Sequence, residues 1–215
     1  MEQALDDQAR RRLRTIFDRG AAEASAALSK WLGQPATLTT SEVDEVDLAE
    51  ASELLGPADE LVAACSMELL GRISGQLLLV FEDRSGLALA DLLLRQAPGT
   101  SRTWGDLEQS AANETANIVG CAYLNSLAAQ LPRSDREPVD ADAAILPSPP
   151  SFRHEFAGSL LEFALMDQAM DRDRVLLVKS RFNADGADLE WWLVFVPSGE
   201  TLAGLGSGLA IPELS

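Results

Sequence analysis

Apolar residues recur along the chain with two different periods, and these periods predict where helices and strands lie. Over residues 4–31 apolar side chains return every three or four positions, which is typical of one long amphipathic helix. Gly33, Gln34 and Pro35 follow this segment and predict its end. The apolar face consists of Leu13, Ile16, Phe17, Ala24, Ala27 and Leu28.

The remainder of the first half predicts short elements separated by turn residues. The segment GQLLLVFE, residues 75–82, is a continuous apolar run of the kind found in buried strands. The turn GRISG, residues 71–75, connects it to the preceding apolar run. The elements predicted after the first helix are a strand at 36–40, a short helix at 48–55, strands at 61–70 and 75–82, and a helix at 86–95.

The second half repeats this order of elements. It begins with another long helix, predicted from Asp106 to Gln130, and continues through a loop into further short elements. These are a short helix or strand near 157–162, strands near 162–168, 174–182 and 190–197, and a weak terminal helix. Trp191 and Trp192 are consecutive in a strand, so we expect them on opposite faces, with at most one in the core.

Two alignments of the chain with itself indicate an internal repeat. The first pairs Asp18 with Asn117, 99 residues apart, and the second pairs Phe81 with Phe195, 114 residues apart. We place the extra residues in an exposed loop at 133–146, which contains one Pro and three Asp. The sequence therefore predicts one α+β domain over residues 1–215, built as a pseudo-twofold repeat of about 4–95 and 105–210. Long helices would pack on a largely antiparallel central sheet.

Composition narrows the classes of partner. The 215 residues are 47% hydrophobic, enough for a substantial core. The net charge of −17 argues against nucleic acid and against an anionic membrane surface, because both require clustered Lys and Arg. The first 15 residues have no apolar core of a secretory signal, and no run approaches 18 apolar residues. We expect a cytoplasmic protein.

Cysteine and histidine are too scarce for several familiar sites. Cys65 and Cys121 each lie in an apolar segment, which is typical of a small buried hydrophobe and not of a disulfide framework. His154 is the single histidine, so a Cys/His zinc site lacks ligands. No G-x-S-x-G segment supports a catalytic triad on this ring, and such a triad is not expected.

Three polar residues share one stripe of the second long helix. In QSAANETANIVG, residues 109–120, Ser110, Glu114 and Asn117 stand at i, i+4 and i+7, while Ile118 and Ala122 turn toward the predicted core. On spacing alone, a solvated helix face is the more common interpretation.

The segment DLEQSAANETANIVGCAYLNSLA, residues 106–128, resembles the second signature helix of the CheC/CheX family of chemotaxis phosphatases. In that signature an Asp or Ser precedes a Glu by four residues, the Glu precedes an Asn by three, and a proline follows later. The similarity continues in RGAAEASAALSKWLGQPATL, SGQLLLVFEDRSGLALADLLL and LPSPP, and so extends over nearly the whole chain. Ser110, Glu114 and Asn117 match the signature.

The resemblance implies hydrolysis of the aspartyl phosphate of a CheY-type response regulator. Asn117 would position the attacking water, Glu114 would pair with the partner's active-site lysine, and Ser110 would form hydrogen bonds at the margin of the contact. No cofactor or metal of the chain's own is expected, because the response regulator supplies Mg²⁺. A CheD-like deamidase and a flagellar switch protein are further partners that the family implies.

Two departures from the family pattern shape these expectations. In the first repeat the equivalent positions are Arg11, Thr15 and Asp18, and an anionic Asp18 would repel a phosphoryl group. We therefore expect one active helix face, with the first site structural or lost. The connection from Asn117 to the prolines at 147–150 is also longer than in the family, so the proline assignment stays open. A non-catalytic adaptor that binds a response regulator or flagellar switch component is the alternative function.

Overall fold

The computed structural model describes residues 7–71, 73–129, 145–160, 174–184 and 186–198. Its helices are α1 (Asp7–Leu32), α2 (Leu48–Leu55), α3 (Asp83–Leu93) and α4 (Asp106–Ala128). Its strands are β1 (Ala36–Asp47), β2 (Leu61–Gly71), β3 (Gly75–Glu82), β4 (Ile145–Pro147), β5 (Ser151–Phe156), β6 (Arg174–Ala184) and β7 (Ala187–Pro197). The predicted α+β class is confirmed.

The strands form one seven-stranded antiparallel sheet. Its order is β1-β6-β7-β3-β2, and β4 and β5 pair with successive stretches of β2 on the side away from β3. The two halves meet at the centre, where β3 pairs with β7 from Gly75 opposite Pro197 to Phe81 opposite Trp191. Each half thus contributes a hairpin and places its own edge strand, β1 or β5, beside the hairpin of the other half.

Exchanging β1 with β5, β2 with β6 and β3 with β7 gives the same strand order read from the other edge of the sheet. A pseudo-twofold axis between β3 and β7 requires this symmetry. The repeat boundaries at 4–95 and 105–210 stay predictions. The loop predicted at 133–146 lies mostly outside the described residues, as do the strand predicted at 162–168 and the terminal helix.

Side chains of successive strand residues point to opposite faces of the sheet, and a hydrophobic core lies on each face. Residues on one face pack beneath α1 and α4; Leu79, Leu193 and Phe195 are buried there. Residues on the other face, including Leu78 and Val194, pack with α2 and with helical residues 157–160. Trp191 is buried in the first core, whereas Trp192 is half-buried against the second, as their consecutive positions predict.

Several predicted bounds were wrong. β1 extends to Asp47 instead of ending at residue 40, because it continues to pair with β6 beyond a bulge between Thr40 and Glu42. Glu42, Asp44 and Asp47 are exposed in this part of the strand, whereas Glu45 is buried. β5 was not predicted, since its charged residues lie on an edge strand where they face solvent. Ile145 and Leu146, predicted as loop, belong to β4.

Candidate functional site

Helix α4 is held rigidly by its buried face. Alanines favour the helix and allow close packing, and Ala116 and Val119 are fully buried. Gly120 lies against Met67 of β2 so closely that a Cβ at this position would collide with the methionine methyl group. Phe17 of α1 stacks at a tilt on Tyr123, with ring centroids 5.6 Å apart. The outward face of α4 is therefore presented from a fixed support.

The structure brings Ser110, Glu114 and Asn117 together on that outward face, and all three are exposed. Within the described residues, the side chains of Ser110 and Glu114 form no hydrogen bond or ion pair. Asn117 accepts one contact, from the Cys121 thiol to its Oδ1 at 3.6 Å. The amide nitrogen of Asn117 and the carboxylate of Glu114 are thus free to engage a second molecule.

The two cysteines differ in burial, although the sequence predicted both as small buried hydrophobes. Cys65 is fully buried, and burial raises the pKa of its thiol to about 12, as for a small core hydrophobe. Cys121 is half-buried instead, because it continues the stripe of Asn117 one turn along α4. Burial raises the Cys121 pKa, and the Glu114 carboxylate adds to the rise, so the thiol stays protonated and can donate to Asn117. Sequence reasoning missed this neighbour, although the i+4 spacing from Asn117 shows it.

The start of α4 is positioned by a carboxylate on α3. Asp91 is 2% exposed and accepts backbone N–H groups from Gly99, Thr100 and Ser101, at 2.7, 3.0 and 2.7 Å. Burial opposes ionisation of this carboxyl, but the hydrogen bonds outweigh it and lower the pKa of Asp91 below its usual value. The loop that leads into α4 is therefore fixed by an anion.

Trp104 connects the start of α4 to the sheet. Its indole Nε1 donates to Asp83 Oδ1 at 2.7 Å, and its carbonyl accepts from Gln109 Nε2 at 2.9 Å. His154 Nε2 lies 2.9 Å from the same oxygen of Asp83, and the ring of Phe152 packs on Trp104 at 4.8 Å. The histidine contacts a carboxylate in a structural cluster.

The equivalent face of α1 is engaged by the chain itself. Arg11 Nε donates to the Asp7 carbonyl at 3.2 Å, and Thr15 Oγ1 donates to the Arg11 carbonyl at 3.1 Å. Asp18 accepts from Arg14 Nε at 3.3 Å, and Arg14 Nη2 also donates to the Thr40 carbonyl at 2.9 Å. The side chains that replace the signature residues thus form local contacts.

The described ranges contain neither a candidate metal site nor a candidate membrane-spanning helix. No group of three or more His, Cys, Asp or Glu side chains in these parts of the chain is placed to hold a metal ion. No helix among them is long and apolar enough to cross a membrane. Pro147, from the stretch LPSPP, lies in β4 opposite Leu69.

Solved structures share this architecture. FliY of Thermotoga maritima superposes with a TM-score of 0.72 at 16% sequence identity, covering 94% of this chain and 96% of FliY. The FliM middle domain from H. pylori gives 0.68 at 13% identity, over 94% and 98% of the two chains. The chemotaxis protein CheX from Desulfovibrio desulfuricans gives 0.50 at 10%, over 87% and 99%.

The chain has the CheC/CheX-like fold. The resemblance drawn from its sequence is thus confirmed at the level of fold. No protein-family model matches the sequence. At identities between 10% and 16%, these likenesses establish architecture and leave activity to the residues of the α4 face.

Proposed function

We propose that this protein is a phosphatase that hydrolyses the aspartyl phosphate of a CheY-type response regulator. The observation that supports this most is the outward face of α4, where Glu114 and Asn117 stand one helical turn apart, exposed and with their polar groups mostly free. An adaptor needs no such pair of acid and amide. A helix packed as tightly as α4 can insert both into a neighbour's cleft with little positional error.

Asn117 supplies the catalytic group. An acyl phosphate is already activated and its hydrolysis passes through a loose transition state, so the phosphatase needs to position water and stabilise charge. A neutral amide can accept from the attacking water and donate to a phosphoryl oxygen without adding negative charge. A hundredfold acceleration corresponds to about 2.7 kcal/mol of transition-state stabilisation.

Glu114 sets the docking register, and Ser110 adds a hydrogen-bonding group at the edge of the contact. A carboxylate is the natural partner of the lysine ammonium that the family resemblance implies in a response regulator. The metal belongs to that partner, so Mg²⁺ enters with the substrate. Because this chain carries a net charge of −17, recognition depends on local pairing more than on long-range attraction.

Non-catalytic binding is the second candidate function. It is supported by structural similarity to the FliM middle domain from H. pylori, at a TM-score of 0.68. A FliM of H. pylori has been solved in complex with FliG, and that chain superposes here with a TM-score of 0.65 at 12% identity. In this second function the α4 face binds a response regulator or switch component without hydrolysis.

The decisive experiment compares dephosphorylation rates of response regulators from the same organism. We expect wild-type protein to accelerate decay of the phosphorylated partner and Asn117→Ala to lose the acceleration. Asn125→Ala is the matched control, because Asn125 is also exposed and lies eight residues further along α4, about 12 Å away. Equal decay with wild type and Asn117→Ala would overturn the proposal, and binding without acceleration would establish the adaptor.

A further inference from the structure

Side chains of α1 cover one part of one sheet edge, the stretch of β1 from Ala36 to Thr40. At the β1 edge, α1 bonds to the backbone groups that point away from the sheet. Ser29 Oγ accepts the Ala36 N–H and donates to the Ala36 carbonyl, both at 2.9 Å. Ser25 Oγ accepts the Leu38 N–H at 2.7 Å, and its single proton is shared between the Ala21 carbonyl at 2.7 Å and the Leu38 carbonyl at 3.2 Å. Together with Arg14 on the Thr40 carbonyl, these bonds cover the β1 edge from Ala36 to Thr40.

At the β5 edge the outward backbone groups have no such cover within the described residues. The Ala157 N–H donates to the Glu60 carbonyl at 2.9 Å, which fixes the alternation of the ladder with β2. Residues at even positions of β5 therefore direct their N–H and C=O groups outward. These residues are Phe152, His154 and Phe156. In the described parts of the chain no group bonds to their outward backbone atoms.

The repeat relates β5 to the part of β1 that lies beyond its bulge. Through the sheet pairings, Ala36 and Leu38 correspond to Ile145 and Pro147 of β4, whereas residues 152, 154 and 156 correspond to residues 43, 45 and 47 of β1. The serines of α1 therefore cover the stretch of β1 that is equivalent to β4.

An acidic groove lies at the carboxyl end of β5. Its volume is about 590 Å³. Leu61 and Phe156 are directly paired across β2 and β5 and leave 43% and 49% of their surface exposed. The charged lining is four carboxylates against one guanidinium, contributed by Asp59, Glu60, Glu82, Asp83 and Arg84. Apolar surface beside a net negative charge favours a cationic, partly apolar ligand.

We propose that the β5 edge and this groove together form a docking site for an extended, basic segment of a partner protein. The segment adds a strand to β5, pairing with the backbone of Phe152, His154 and Phe156, and its Lys or Arg side chains enter the groove. This surface includes none of Ser110, Glu114 and Asn117, so the inference does not depend on the phosphatase proposal.

Charge favours a basic partner segment over segments of this chain and over a second copy as the occupant of the groove. The segments outside the described ranges, residues 1–6, 130–144, 161–173 and 199–215, have side-chain charges of −2, −2, −3 and −2. All four are net acidic and would be repelled by the groove carboxylates. A second copy carries a net charge of −17 and is disfavoured for the same reason.

A pair of substitutions at one residue tests the added strand. His154→Pro removes the outward N–H, at an edge position where proline is tolerated, and His154→Ala loses the same contact with Asp83 but keeps the N–H. The probe is a fluorescein-labelled decapeptide that alternates Val and Thr and ends in two lysines. We expect wild type and His154→Ala to bind it with similar affinity and His154→Pro to bind about tenfold more weakly. Equal binding by the two variants would overturn strand addition.

Charge reversal tests the groove without touching the strand. Asp59→Lys with Glu82→Lys should weaken binding of the lysine peptide about tenfold, whereas Glu42→Lys with Asp44→Lys, exposed positions of β1, should leave it unchanged. A peptide with glutamates in place of the lysines should bind wild type at least tenfold more weakly. If it binds equally well, the proposal fails.

Two further measurements identify other occupants. Hydrogen exchange of the free chain should leave the amides of Phe152, His154 and Phe156 unprotected, and the lysine peptide should protect them. Protection in the free monomer would mean that the chain covers its own edge. A concentration-dependent dimer in sedimentation that His154→Pro abolishes would assign the edge to a second copy. Either outcome would overturn the proposal.

Discussion

Helices α1 and α4 occupy equivalent places on one sheet, yet their outward faces are used in opposite ways. On α1 the residues at the three signature positions belong to a local network in which Arg14 pairs with Asp18 and reaches the backbone of β1. On α4 the equivalent Glu114 and Ser110 form no bonds among the described residues, and Asn117 accepts one weak bond from a thiol. The polar side chains of α1 contact their own chain and stabilise the fold, whereas the exposed polar side chains of α4 are available to bind another molecule.

In this comparison, the outward face of α1 serves stability, and the outward face of α4 is available for function. Substitutions on the α4 face should change activity with little effect on the free energy of unfolding. Substitutions of the α1 serines that bond to β1 should lower the free energy of unfolding with little effect on activity.

Replacing the amide of α4 by the carboxylate found on α1 should have the largest effect on activity. Asn117→Asp places an anion next to the phosphoryl oxygens and removes the amide donor, so we expect at least about a hundredfold loss of phosphatase rate. Rates of response-regulator dephosphorylation at saturating partner, measured beside thermal unfolding, check this. A variant that unfolds normally but keeps even a tenth of the wild-type rate would contradict the assigned role.

Loss of the carboxylate before α4 should have the largest effect on stability. Asp91→Ala leaves the N–H groups of Gly99, Thr100 and Ser101 without their acceptor, and we expect the free energy of unfolding to fall by about 3 kcal/mol. Urea denaturation at pH 7 measures this loss.

The same substitution has a defined pH dependence. Because the folded-state pKa of Asp91 is lowered, its contribution is complete above the ordinary value of 3.8 and is lost as pH falls through the lower folded value. The stability difference between wild type and Asp91→Ala should therefore shrink as the solution is made more acidic than pH 4. A difference that stays constant down to pH 2 would show that the carboxylate acts through packing alone.

Removing Glu114 should weaken docking more than chemistry. Glu114→Ala eliminates the carboxylate proposed to pair with the partner's lysine, and we expect KM to rise about tenfold while the rate at saturation changes little. Steady-state kinetics over a range of phosphorylated partner concentrations separate the two constants. Glu108→Ala serves as a control, because Glu108 accepts from Ser101 and lies earlier on the helix.

The serines of α1 should matter for stability alone. Ser25→Ala and Ser29→Ala each leave an N–H of β1 without a partner, and each should cost about 1–2 kcal/mol. Phosphatase rates of the folded variants should match wild type. If either substitution lowers the rate severalfold, the α1 side takes part in function and the division between the helices fails.

The smallest effect is expected at the former signature positions of α1. Thr15→Ala and Asp18→Asn change exposed side chains with local partners, so stability should change by less than about 0.5 kcal/mol and activity should not change. Asp18→Asn also restores the signature amide on α1. An increase in phosphatase rate with this variant would reveal that the first site retains part of its function.

Periodicity predicted the elements whose burial is regular, and it failed where exposure varies along a strand. The apolar spacing of α1 and the continuous run in β3 placed both elements to within a few residues. The strand β5 was missed because Arg153, His154 and Glu155 interrupt any apolar alternation, and its position depends on pairing with β2, which is distant in sequence.

In the candidate site, too, the sequence predicted what depends on local helical geometry and missed what depends on tertiary contacts. Spacing alone placed Ser110, Glu114 and Asn117 on one face, since helical geometry is local. The contact of Cys121 with Asn117 and the anchoring of the preceding loop by Asp91 required coordinates. The latter brings together residues eight to ten positions apart through a turn whose conformation no periodicity determines.

The central pairing of β3 with β7 makes the chain comparable to a dimer joined by a linker. Since each half holds the edge strand of the other half's hairpin, neither can complete its sheet alone. A chain cut in the loop between α3 and α4 would yield two fragments with open apolar strands that aggregate separately. Mixed during refolding, they should recover the native sheet by complementation, at a rate set by their concentrations.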